Sequence, residues 1–334
     1  MIAIVGAGSW GTALAIHLAR GGVAVRLCAR AAQVAETITT RRRNPWYLSD
    51  LEIPLSVEAT TEPAAAVAGA DVVVVAVPSE FFGATLARLT PPPRAAVVSA
   101  TKGFDPHRHL RMSELVRERF PDAPVAALSG PTFAREVAMA RPTAAVIAAT
   151  DDRLATELQA RLRSRELRLY TNRDVVGVEA GGALKNVMAI ATGIADGLGL
   201  GENARAALVT RGLAEMTRLA VALGGEPSTL AGLAGLGDLV LTATGTLSRN
   251  RALGMALARG DSSARVAAST RMVAEGVPTV RTALALAAEQ GVSMPICEEV
   301  AAVLFGQKAP AEALASLLGR AATREDLTTG GRRA

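Results

Sequence analysis

Cysteine, histidine, lysine and long apolar runs are all scarce in this 334-residue sequence. The two cysteines, Cys28 and Cys297, are far apart and have neither the pairing nor the spacing of a disulfide framework or a zinc site. We therefore expect a reducing compartment, the cytoplasm, and no bound metal. No apolar stretch approaches the roughly 20 uninterrupted residues of a membrane span. The apolar start, Met1–Val5, lacks the basic segment of a signal peptide, so neither secretion nor membrane insertion is expected.

Aromatic residues are also rare, at 3% of the chain, and the basic residues are scattered. A base-stacking surface for nucleic acid is therefore not expected. The short runs at 41–43 and 332–333, all arginine, are better interpreted as solvated charge than as nucleic-acid patches. The formal net charge of +5 instead suits anionic small molecules, which a positive field steers inward.

Lysine is the scarcest charged residue. Only Lys102, Lys185 and Lys308 occur among 36 basic residues, and the rest are arginines. Because arginine serves here wherever a positive charge suffices, a retained lysine indicates a position that needs a compact ammonium able to release its proton. Chance placement is the alternative explanation for so small a set.

Strand-like and helix-like segments alternate through the first half of the chain. Short apolar runs predict strands at Ile2–Val5, Val23–Leu27, Asp71–Val77, Ala95–Ser99, Val125–Leu128, Ala144–Ala148 and Leu167–Tyr170. The valine-rich run at 71–77 is typical of a parallel strand buried on both faces. Such alternation predicts an α/β doubly wound sheet.

The pattern changes after about Asp174. Alanine- and leucine-rich stretches there predict helices at Gly177–Ala195, Ala204–Leu223, Asn250–Ala258, Val277–Gln290 and Pro295–Leu304. We therefore expect an N-terminal sheet domain followed by an all-α domain. The predicted ranges are 1–175 for a dinucleotide-binding domain, 176–327 for a helical substrate-binding domain, and 328–334 for a disordered tail.

A glycine motif, Gly6-Ala7-Gly8-Ser9-Trp10-Gly11, connects the first strand to the first helix. Gly6 permits a tight turn, Gly8 lets the backbone approach a pyrophosphate, and Gly11 lets the helix pack closely on the sheet. The helix N-terminus then presents free amides and a positive dipole end to the phosphates. The motif predicts a Rossmann-type dinucleotide site.

The end of the second predicted strand bears on the choice of dinucleotide. Enzymes tuned for NAD usually carry an acidic residue there to bind the ribose 2′-hydroxyl, but no acid occurs between Thr12 and Ala35. Arg30 stands at the right distance and can pair with a 2′-phosphate, so NADP is favoured or at least accepted. A solvated surface arginine is the alternative.

Hydride transfer to a carbonyl needs an acid–base partner on the oxygen. His17 lies in the first helix, His107 and His109 lie in a polar loop, and no histidine is expected in the helical domain. Lys185, which small residues precede on a predicted helix, is the better candidate. Burial and neighbouring cations would lower its pKa, and a bound phosphate would oppose that. A surface helix lysine is the alternative.

Two further segments carry polar groups suited to a ligand. Lys102 follows a predicted strand at the carboxyl edge of the sheet, where ligands of open α/β folds bind. The segment Ser248-Arg249-Asn250 begins a predicted helix, so its side chains and the helix N-terminus could cradle a phosphate. Plain N-capping accounts for Ser248 equally well.

From about Met1 to Leu318 the chain resembles the soluble, bacterial-type NAD(P)-dependent sn-glycerol-3-phosphate dehydrogenases. The resemblance rests on ordered segments: VGAGSWGTALA at 5–15, RNPWYL at 43–48, VPS at 77–79, TKG at 101–103, SGPTFA at 129–134, YTNRDVVGVE at 170–179, GALKNVMAIATGIADGL at 182–198, GLGDLVLT at 235–242 and SRNR at 248–251. It implies interconversion of dihydroxyacetone phosphate and NAD(P)H with sn-glycerol 3-phosphate and NAD(P)+, which supplies phospholipid synthesis.

The resemblance also implies residue roles. Lys185 is the proton-transferring residue at the C2 oxygen. Substrate-binding residues are Lys102, Gly130, Thr132, Asn186, Asp238, Thr242, Ser248, Arg249 and Asn250. With the glycines Gly6, Gly8 and Gly11, the cofactor-binding residues are Ser9, Trp10, Arg30, Lys102, Ala134, Arg249, Val273 and Glu275.

The sequence departs from the family pattern at Ala31, where a second polar or basic residue is common, so the choice between NADP and NAD stays open. Thr132 stands where serine is common, which keeps the hydroxyl. The family often associates, so a homodimer is an open expectation. Two alternatives also stay open: a related dehydrogenase of a hydroxy acid, with a Rossmann and a helical domain, and a non-catalytic dinucleotide sensor.

Overall fold

The computed structural model describes residues 1–92, 94–268 and 274–321. The chain forms two compact units. The first, the sheet unit, consists of Met1–Thr101 and Met112–Val175; the second, the helical unit, consists of Lys102–Arg111 and the described residues from Val176 onward. The segment Lys102–Arg111 thus packs with the helical unit, whereas the predicted domain ranges, 1–175 and 176–327, were continuous. The predicted tail at 328–334 lies outside the described residues.

The sheet unit contains one eight-stranded sheet in the order β3-β2-β1-β4-β5-β6-β7-β8. Its strands are β1 (Ile2–Val5), β2 (Val25–Cys28), β3 (Val57–Thr60), β4 (Val72–Val75), β5 (Ala96–Ser99), β6 (Val125–Ser129), β7 (Thr143–Ala148) and β8 (Leu167–Asn172). All neighbours are parallel except β6 and β7. The first six follow the order of a dinucleotide-binding sheet, whose ligand crevice opens beside the carboxyl ends of β1 and β4. The predicted fold class is confirmed.

All seven predicted strands are present, with ends shifted by a few residues. In β4 all four valines are buried, as expected for a central strand covered on both faces. Strand β3 was not predicted, since only Val57 in it is buried and the other three positions are polar or partly exposed. A short strand at the sheet edge buries too little apolar surface to produce a recognisable pattern.

Helices cover the sheet. They are α1 (Ser9–Arg20), α2 (Ala32–Arg41), α3 (Pro63–Val67), α4 (Phe82–Ala87), α5 (Met112–Arg119), α6 (Ala134–Ala138) and α7 (Asp152–Leu162), with a short 3-10 turn at Ser79–Phe81. Helix α1 is buried over most of its length, and His17 within it lies 3.3 Å from the Leu162 carbonyl oxygen. Burial lowers the pKa of His17, so this histidine is a neutral core residue.

The helical unit is built from nine described helices, α8 (Val175–Gly197), α9 (Gly201–Ala222), α10 (Pro227–Leu230), α11 (Asp238–Thr244), α12 (Arg249–Ala258), α13 (Ser263–Ala268), α14 (Gly276–Glu289), α15 (Pro295–Leu304) and α16 (Pro310–Leu318). The five predicted helices are confirmed. The missed segments include α11 and the π-helical turn before it, Leu233–Gly237, whose glycines suggest a loop. Of the described helices, none alone has the length and apolar character to cross a membrane; by those two criteria only the bent pair Pro227–Thr244 and Arg249–Ala258 passes.

Helix α8 is buried along nearly its whole length, and its glycines let other backbones come close. A Cβ atom at Gly181 would lie 2.6 Å from the Ala234 oxygen, and one at Gly193 would lie 2.1 Å from the Arg251 oxygen. Real Cβ atoms do not approach so closely, so any larger residue would push these segments away. The glycines of α8 therefore set how closely the π-helical turn and α12 approach α8, the helix that carries Lys185.

Candidate active site and cofactor loop

Three charged side chains meet inside the helical unit. The Lys185 Nζ atom lies 3.0 Å from Asp238 Oδ1, and the Lys102 Nζ atom lies 2.6 Å from Asp238 Oδ2. Each carboxylate oxygen of Asp238 thus holds one ammonium group. The Asp238 side chain is 1% exposed and that of Lys185 8%, so both charges are largely removed from water. Electrostatic interactions are much stronger in such a site than at a surface.

Local structure orients this cluster. Asp238 is the first residue of α11, where the helix dipole favours a carboxylate. One turn later, the Thr242 hydroxyl donates to the Asp238 carbonyl oxygen at 2.7 Å, which turns its lone pairs toward Lys185. Lys185 donates to that hydroxyl oxygen, also at 2.7 Å. The Lys185 ammonium is therefore held by a carboxylate and a hydroxyl at once.

The segment that carries Lys102 is anchored to the helical unit at two points. Phe104 is buried in the core of that unit, and Arg111 Nη1 lies 3.1 Å from Glu179 Oε2 on α8. Phe104 and Arg111 also pair with each other in an isolated bridge. These contacts account for the position of Lys102 beside Asp238. Arg111 and Glu179 were not among the predicted site residues, although Glu179 lies in the motif segment at 170–179.

The environment of Lys185 changes its acidity. Burial lowers the pKa of Lys185 to about 8, because desolvation disfavours the ammonium. The nearby cations Lys102 and Arg249 contribute to this lowering and Asp238 opposes it, so the value of about 8 is the net result. Both the ammonium and the amine are therefore accessible near neutral pH. A group with this pKa can donate a proton in one direction of a reaction and accept it in the other.

Polar side chains surround the first turn of α12. Ser248 caps the helix, since its Oγ accepts the Arg251 amide at 3.2 Å, so the N-capping alternative is observed. Asn250 Nδ2 donates to Asn186 Oδ1 at 2.8 Å, and Asn250 Oδ1 accepts the Gly276 amide at 3.1 Å. Asn186 directly follows Lys185 on α8. The predicted residues Asn186, Ser248, Arg249 and Asn250 are thus joined around one helix N-terminus.

The glycine loop of the sheet unit has the geometry that a dinucleotide requires. Gly6 has φ +114°, and a Cβ atom there would lie 2.5 Å from the Ala76 oxygen; one at Gly11 would lie 1.8 Å from the Gly6 oxygen. At Gly8, by contrast, an added Cβ would meet no described protein atom within 4 Å. Gly8 is the N-cap of α1 and provides no side-chain cap. This open space at an uncapped helix N-terminus fits a pyrophosphate.

Two side chains near the glycine loop, Trp10 and Arg30, carry polar groups that a dinucleotide could contact. The buried Nε1 atom of Trp10 has no hydrogen-bond partner among the described residues, which is unusual for a buried indole. Arg30 is exposed after β2, and its guanidinium carbon lies 5.8 Å from the centroid of the Phe81 ring. Both groups remain available to a bound dinucleotide.

Comparison with known proteins agrees with this geometry. Residues 1–155 match the model of the N-terminus of NAD-dependent glycerol-3-phosphate dehydrogenase, and residues 174–315 match that of its C-terminus. The chain is 50% identical over 332 residues to glycerol-3-phosphate dehydrogenase (NAD(P)+) of Koribacter versatilis, covering 97% of this chain and 98% of that protein. This chain belongs to the NAD-dependent glycerol-3-phosphate dehydrogenase family.

Further members of this dehydrogenase family match along nearly the full length. The enzyme named glycerol-3-phosphate dehydrogenase (NAD(P)+) of Thermobifida fusca is 47% identical over 329 residues, covering 97% of this chain and 98% of its own. The crystal structure of glycerol-3-phosphate dehydrogenase from Coxiella burnetii matches with a TM-score of 0.91 at 39% identity, covering 96% of this chain and 98% of that one. The predicted nicotinamide-dependent oxidoreductase class is confirmed, and the hydroxy-acid alternative is not supported.

The glycine loop of this chain is held by a buried residue that was not among the predicted site residues. Asn44 is fully buried, and its Nδ2 donates to the Ala7 carbonyl and to Thr12 Oγ1, both at 2.9 Å. Its Oδ1 accepts the amides of Trp46 and Tyr47. The RNPWYL motif, which contains Asn44, was the available signal. A single amide side chain thus joins that motif to the loop.

The remaining predicted site residues fall in both units. Gly130, with φ +136°, follows β6 in the sheet unit, where Thr132 Oγ1 donates to its carbonyl at 3.1 Å. Ala134 begins α6 in the same unit. Glu275 precedes α14 in the helical unit, and its carbonyl accepts the Thr279 hydroxyl at 2.6 Å. Val273 lies outside the described residues. The roles of these residues stay predictions.

Other candidates occupy structural positions. The third lysine, Lys308, lies 2.8 Å from Glu299 Oε1, in a partly exposed ion pair. His109 lies 3.5 Å from Glu289 and belongs to the segment that packs with the helical unit, so the expectation that no histidine would fall there was wrong. Both of these side chains are paired away from Asp238.

The arginine run at 41–43 does not form a uniform charged patch. Arg42 ends α2 in the left-handed conformation and donates to the carbonyls of Ile53 and Val57, at 3.1 and 2.9 Å. It therefore closes a loop of the sheet unit. The second run, at 332–333, lies outside the described residues.

Proposed function

We propose that the chain catalyses the reversible, NAD(P)H-dependent reduction of dihydroxyacetone phosphate to sn-glycerol 3-phosphate, which supplies phospholipid synthesis. The observation that carries the proposal is the buried cluster in which Asp238 holds both Lys185 and Lys102, with the pKa of Lys185 lowered to about 8. Membership of the glycerol-3-phosphate dehydrogenase family supports the substrate class and the cofactor.

The sheet unit would hold the cofactor. The amides at the start of α1, beside the open space at Gly8, would bind the pyrophosphate, and Arg30 would pair with a 2′-phosphate on the adenosine ribose. The full proposed set is Gly6, Gly8, Ser9, Trp10, Gly11, Arg30, Lys102, Ala134, Arg249, Val273 and Glu275. When bound, NAD(P)H supplies a hydride to the C2 carbon of the substrate.

Lys185 completes the reaction with a proton. As the C2 carbonyl gains the hydride, its oxygen becomes negative and takes a proton from the Lys185 ammonium, which leaves a neutral amine. In the oxidation direction that amine accepts the hydroxyl proton. Asp238 and Thr242 orient the lysine, and Lys102 places a second positive charge beside the C2 oxygen.

The substrate phosphate would bind at the start of α12. Arg249 supplies a guanidinium that can pair with two phosphate oxygens, and the amides of the first turn add further donors. Ser248 accepts the Arg251 amide and keeps its own hydroxyl proton for the phosphate. Asn186 and Asn250 line the same turn, while Gly130 and Thr132 complete the proposed substrate contacts.

A cytoplasmic location and association into a homodimer are further parts of this proposal. The two buried free thiols, Cys28 and Cys297, support a reducing compartment. Light scattering of the purified protein would test the dimer.

The function is tested by steady-state kinetics of the purified protein, measured as loss of reduced-nicotinamide absorbance with NADPH and NADH in parallel. We expect turnover of dihydroxyacetone phosphate, and a far lower kcat/KM for unphosphorylated dihydroxyacetone and for 2-keto acids of similar size. A Lys185→Met variant is the control for adventitious activity. Absence of turnover with both cofactors would overturn the proposal.

A further inference from the structure

A partly buried ion-pair network lies beside the proposed phosphate site but takes no part in the proposed reaction. Asp196, near the end of α8, places Oδ2 at 2.6 Å from Arg251 Nε on α12. Its Oδ1 lies 2.8 Å from Arg205 Nε and 2.6 Å from Arg205 Nη2 on α9. The Asp196 side chain is only 6% exposed. A carboxylate this buried persists because two guanidinium groups compensate its lost hydration.

Arg251 connects this network to the phosphate-binding turn. It lies in the first turn of α12, two residues after Arg249 and next to Asn250. Its backbone amide donates to Ser248 Oγ, and its side chain pairs with Asp196. The turn is thus held at one end by its cap and laterally by an ion pair to α8.

The contact between α8 and α12 needs such polar restraints. The helices approach through glycines: a Cβ at Gly193 would lie 2.1 Å from the Arg251 oxygen, and one at Gly254 would lie 2.2 Å from the Ile190 oxygen. Apolar side chains of both helices, among them Ile194 of α8 and Leu257 of α12, also lie in the core of the helical unit, but apolar packing is non-directional. The Asn250–Asn186 hydrogen bond at 2.8 Å and the Arg251–Asp196 ion pair are directional contacts across this interface.

The ion pair also separates the charges of the arginines. Arg249 and Arg251 are both cationic and lie two positions apart in one helical turn. Because Asp196 binds Arg251, that guanidinium is directed to α8 and its charge is balanced. The Arg249 charge instead acts on Lys185, whose pKa it helps to lower.

We infer that Asp196 is a positioning residue for phosphate recognition: through Arg251 it fixes Arg249 and Asn250 relative to Lys185. This inference rests on the proposed function. It predicts an effect on the phosphorylated end of the substrate, with the proton transfer at Lys185 left intact.

The test is an Asp196→Asn variant assayed with NADPH against dihydroxyacetone phosphate and against dihydroxyacetone. We expect the KM for dihydroxyacetone phosphate to rise by roughly tenfold to a hundredfold, because small misplacements of a binding group cost that much, with a smaller change in kcat. The kcat/KM for dihydroxyacetone, measured at saturating NADPH, should be unchanged. An Asp196→Glu variant, which restores the charge, should recover part of the loss.

A control and a second variant keep the test decisive. Glu202 also pairs with Arg205, at 2.6 Å, but is 81% exposed, so Glu202→Gln should leave all constants unchanged. Arg251→Met should raise the KM for dihydroxyacetone phosphate as Asp196→Asn does, while the Asp196–Arg205 ion pair stays intact. The KM of the double variant should be no higher than that of either single variant. This second variant serves if Asp196→Asn does not fold.

These experiments distinguish failure of the inference about Asp196 from failure of the proposed function. If the wild-type protein turns over dihydroxyacetone phosphate and both variants keep its KM, the inference is overturned alone. Equal losses on the phosphorylated and unphosphorylated substrates would also overturn it, since the effect would then be general. If the wild-type protein shows no turnover, the proposed function fails and the inference falls with it.

Discussion

Lys185 Nζ lies 3.0 Å from Asp238 Oδ1, and both side chains are almost completely buried. Burying two opposite charges costs hydration that their attraction only partly returns. Here the cost of desolvation outweighs the attraction, since the pKa of Lys185 falls to about 8 in spite of the carboxylate. The Lys185 side chain is therefore held in one orientation and can exchange a proton near neutral pH.

Replacing Lys185 with arginine should abolish proton transfer while keeping the positive charge. A guanidinium does not release its proton in this pH range, so we expect kcat to fall by at least about a hundredfold. The Kd for NADPH, from fluorescence titration, should stay near the wild-type value. Lys308→Arg is the matched control, because Lys308 forms a partly exposed ion pair with Glu299. Preserved kcat in Lys185→Arg would assign the proton to another group.

The rates in the two directions should depend on pH in opposite ways. Reduction needs the Lys185 ammonium, so kcat/KM for dihydroxyacetone phosphate should fall as pH rises through about 8. Oxidation of glycerol 3-phosphate needs the amine, so its kcat/KM should rise through the same interval. Both profiles are measured at saturating cofactor.

Asp238→Asn tests the origin of that pKa. The carboxylate of Asp238 raises the pKa of Lys185, so its removal should move the midpoint of both profiles below about 8. A midpoint that moves upward, or profiles that change in the same direction for reduction and oxidation, would contradict the assignment to Lys185.

The glycine loop offers two substitutions of the same size with different expected effects. Gly11→Ala should destabilise the fold by about 1–3 kcal/mol or more, because its Cβ would lie 1.8 Å from the Gly6 oxygen. Gly8→Ala should leave stability near wild type, since no described protein atom lies within 4 Å, but should weaken NADPH binding. Chemical denaturation and cofactor titration measure the two effects. Wild-type cofactor affinity in Gly8→Ala would show that no pyrophosphate lies there.

Arg30 should discriminate between the two cofactors. Loss of a guanidinium partner for a 2′-phosphate should raise the KM for NADPH about tenfold and change that for NADH little. Arg119→Ala is a matched control, because Arg119 is also an exposed arginine near a phenylalanine ring, 4.9 Å from the centroid of Phe120. Equal effects of Arg30→Ala on both cofactors would mean that Arg30 does not read the 2′ position.

Glu215 should make the stability of the chain depend on pH. Its carboxylate accepts the amides of Ile296 and Cys297 at the start of α15, and burial raises the pKa of Glu215 from 4.5 to about 7. Between these values the folded state holds a proton that the unfolded state has lost, so the free energy of unfolding should decrease as pH rises. The full effect is at most about 3 kcal/mol.

Glu215→Gln should remove this dependence, because its amide does not titrate. Urea denaturation of both proteins at several pH values measures the difference. Parallel stability curves for the wild-type protein and Glu215→Gln would show that the Glu215 carboxyl does not titrate in this interval.

Local patterns were enough to predict most of the fold. The valine run of β4 and the motif from Gly6 to Gly11 identify a Rossmann-type sheet because strand burial and tight turns restrict residue type over a few positions. Two of the missed segments have weak local patterns. The edge strand β3 buries one side chain, and the turn before α11 is rich in glycine.

The sequence by itself determined the fold class, the family and the candidate lysine, because each depends on residue types at short spacing. Only the tertiary structure decided that Asp238 lies between Lys185 and Lys102, although Asp238 and Lys102 are 136 positions apart in the sequence. The same holds for the ion pair between Asp196 and Arg251. Charge interactions and desolvation depend on distance in space and on exclusion of water, which residue spacing along the chain does not specify. The lowered pKa of Lys185 is therefore a property of the packed helical unit.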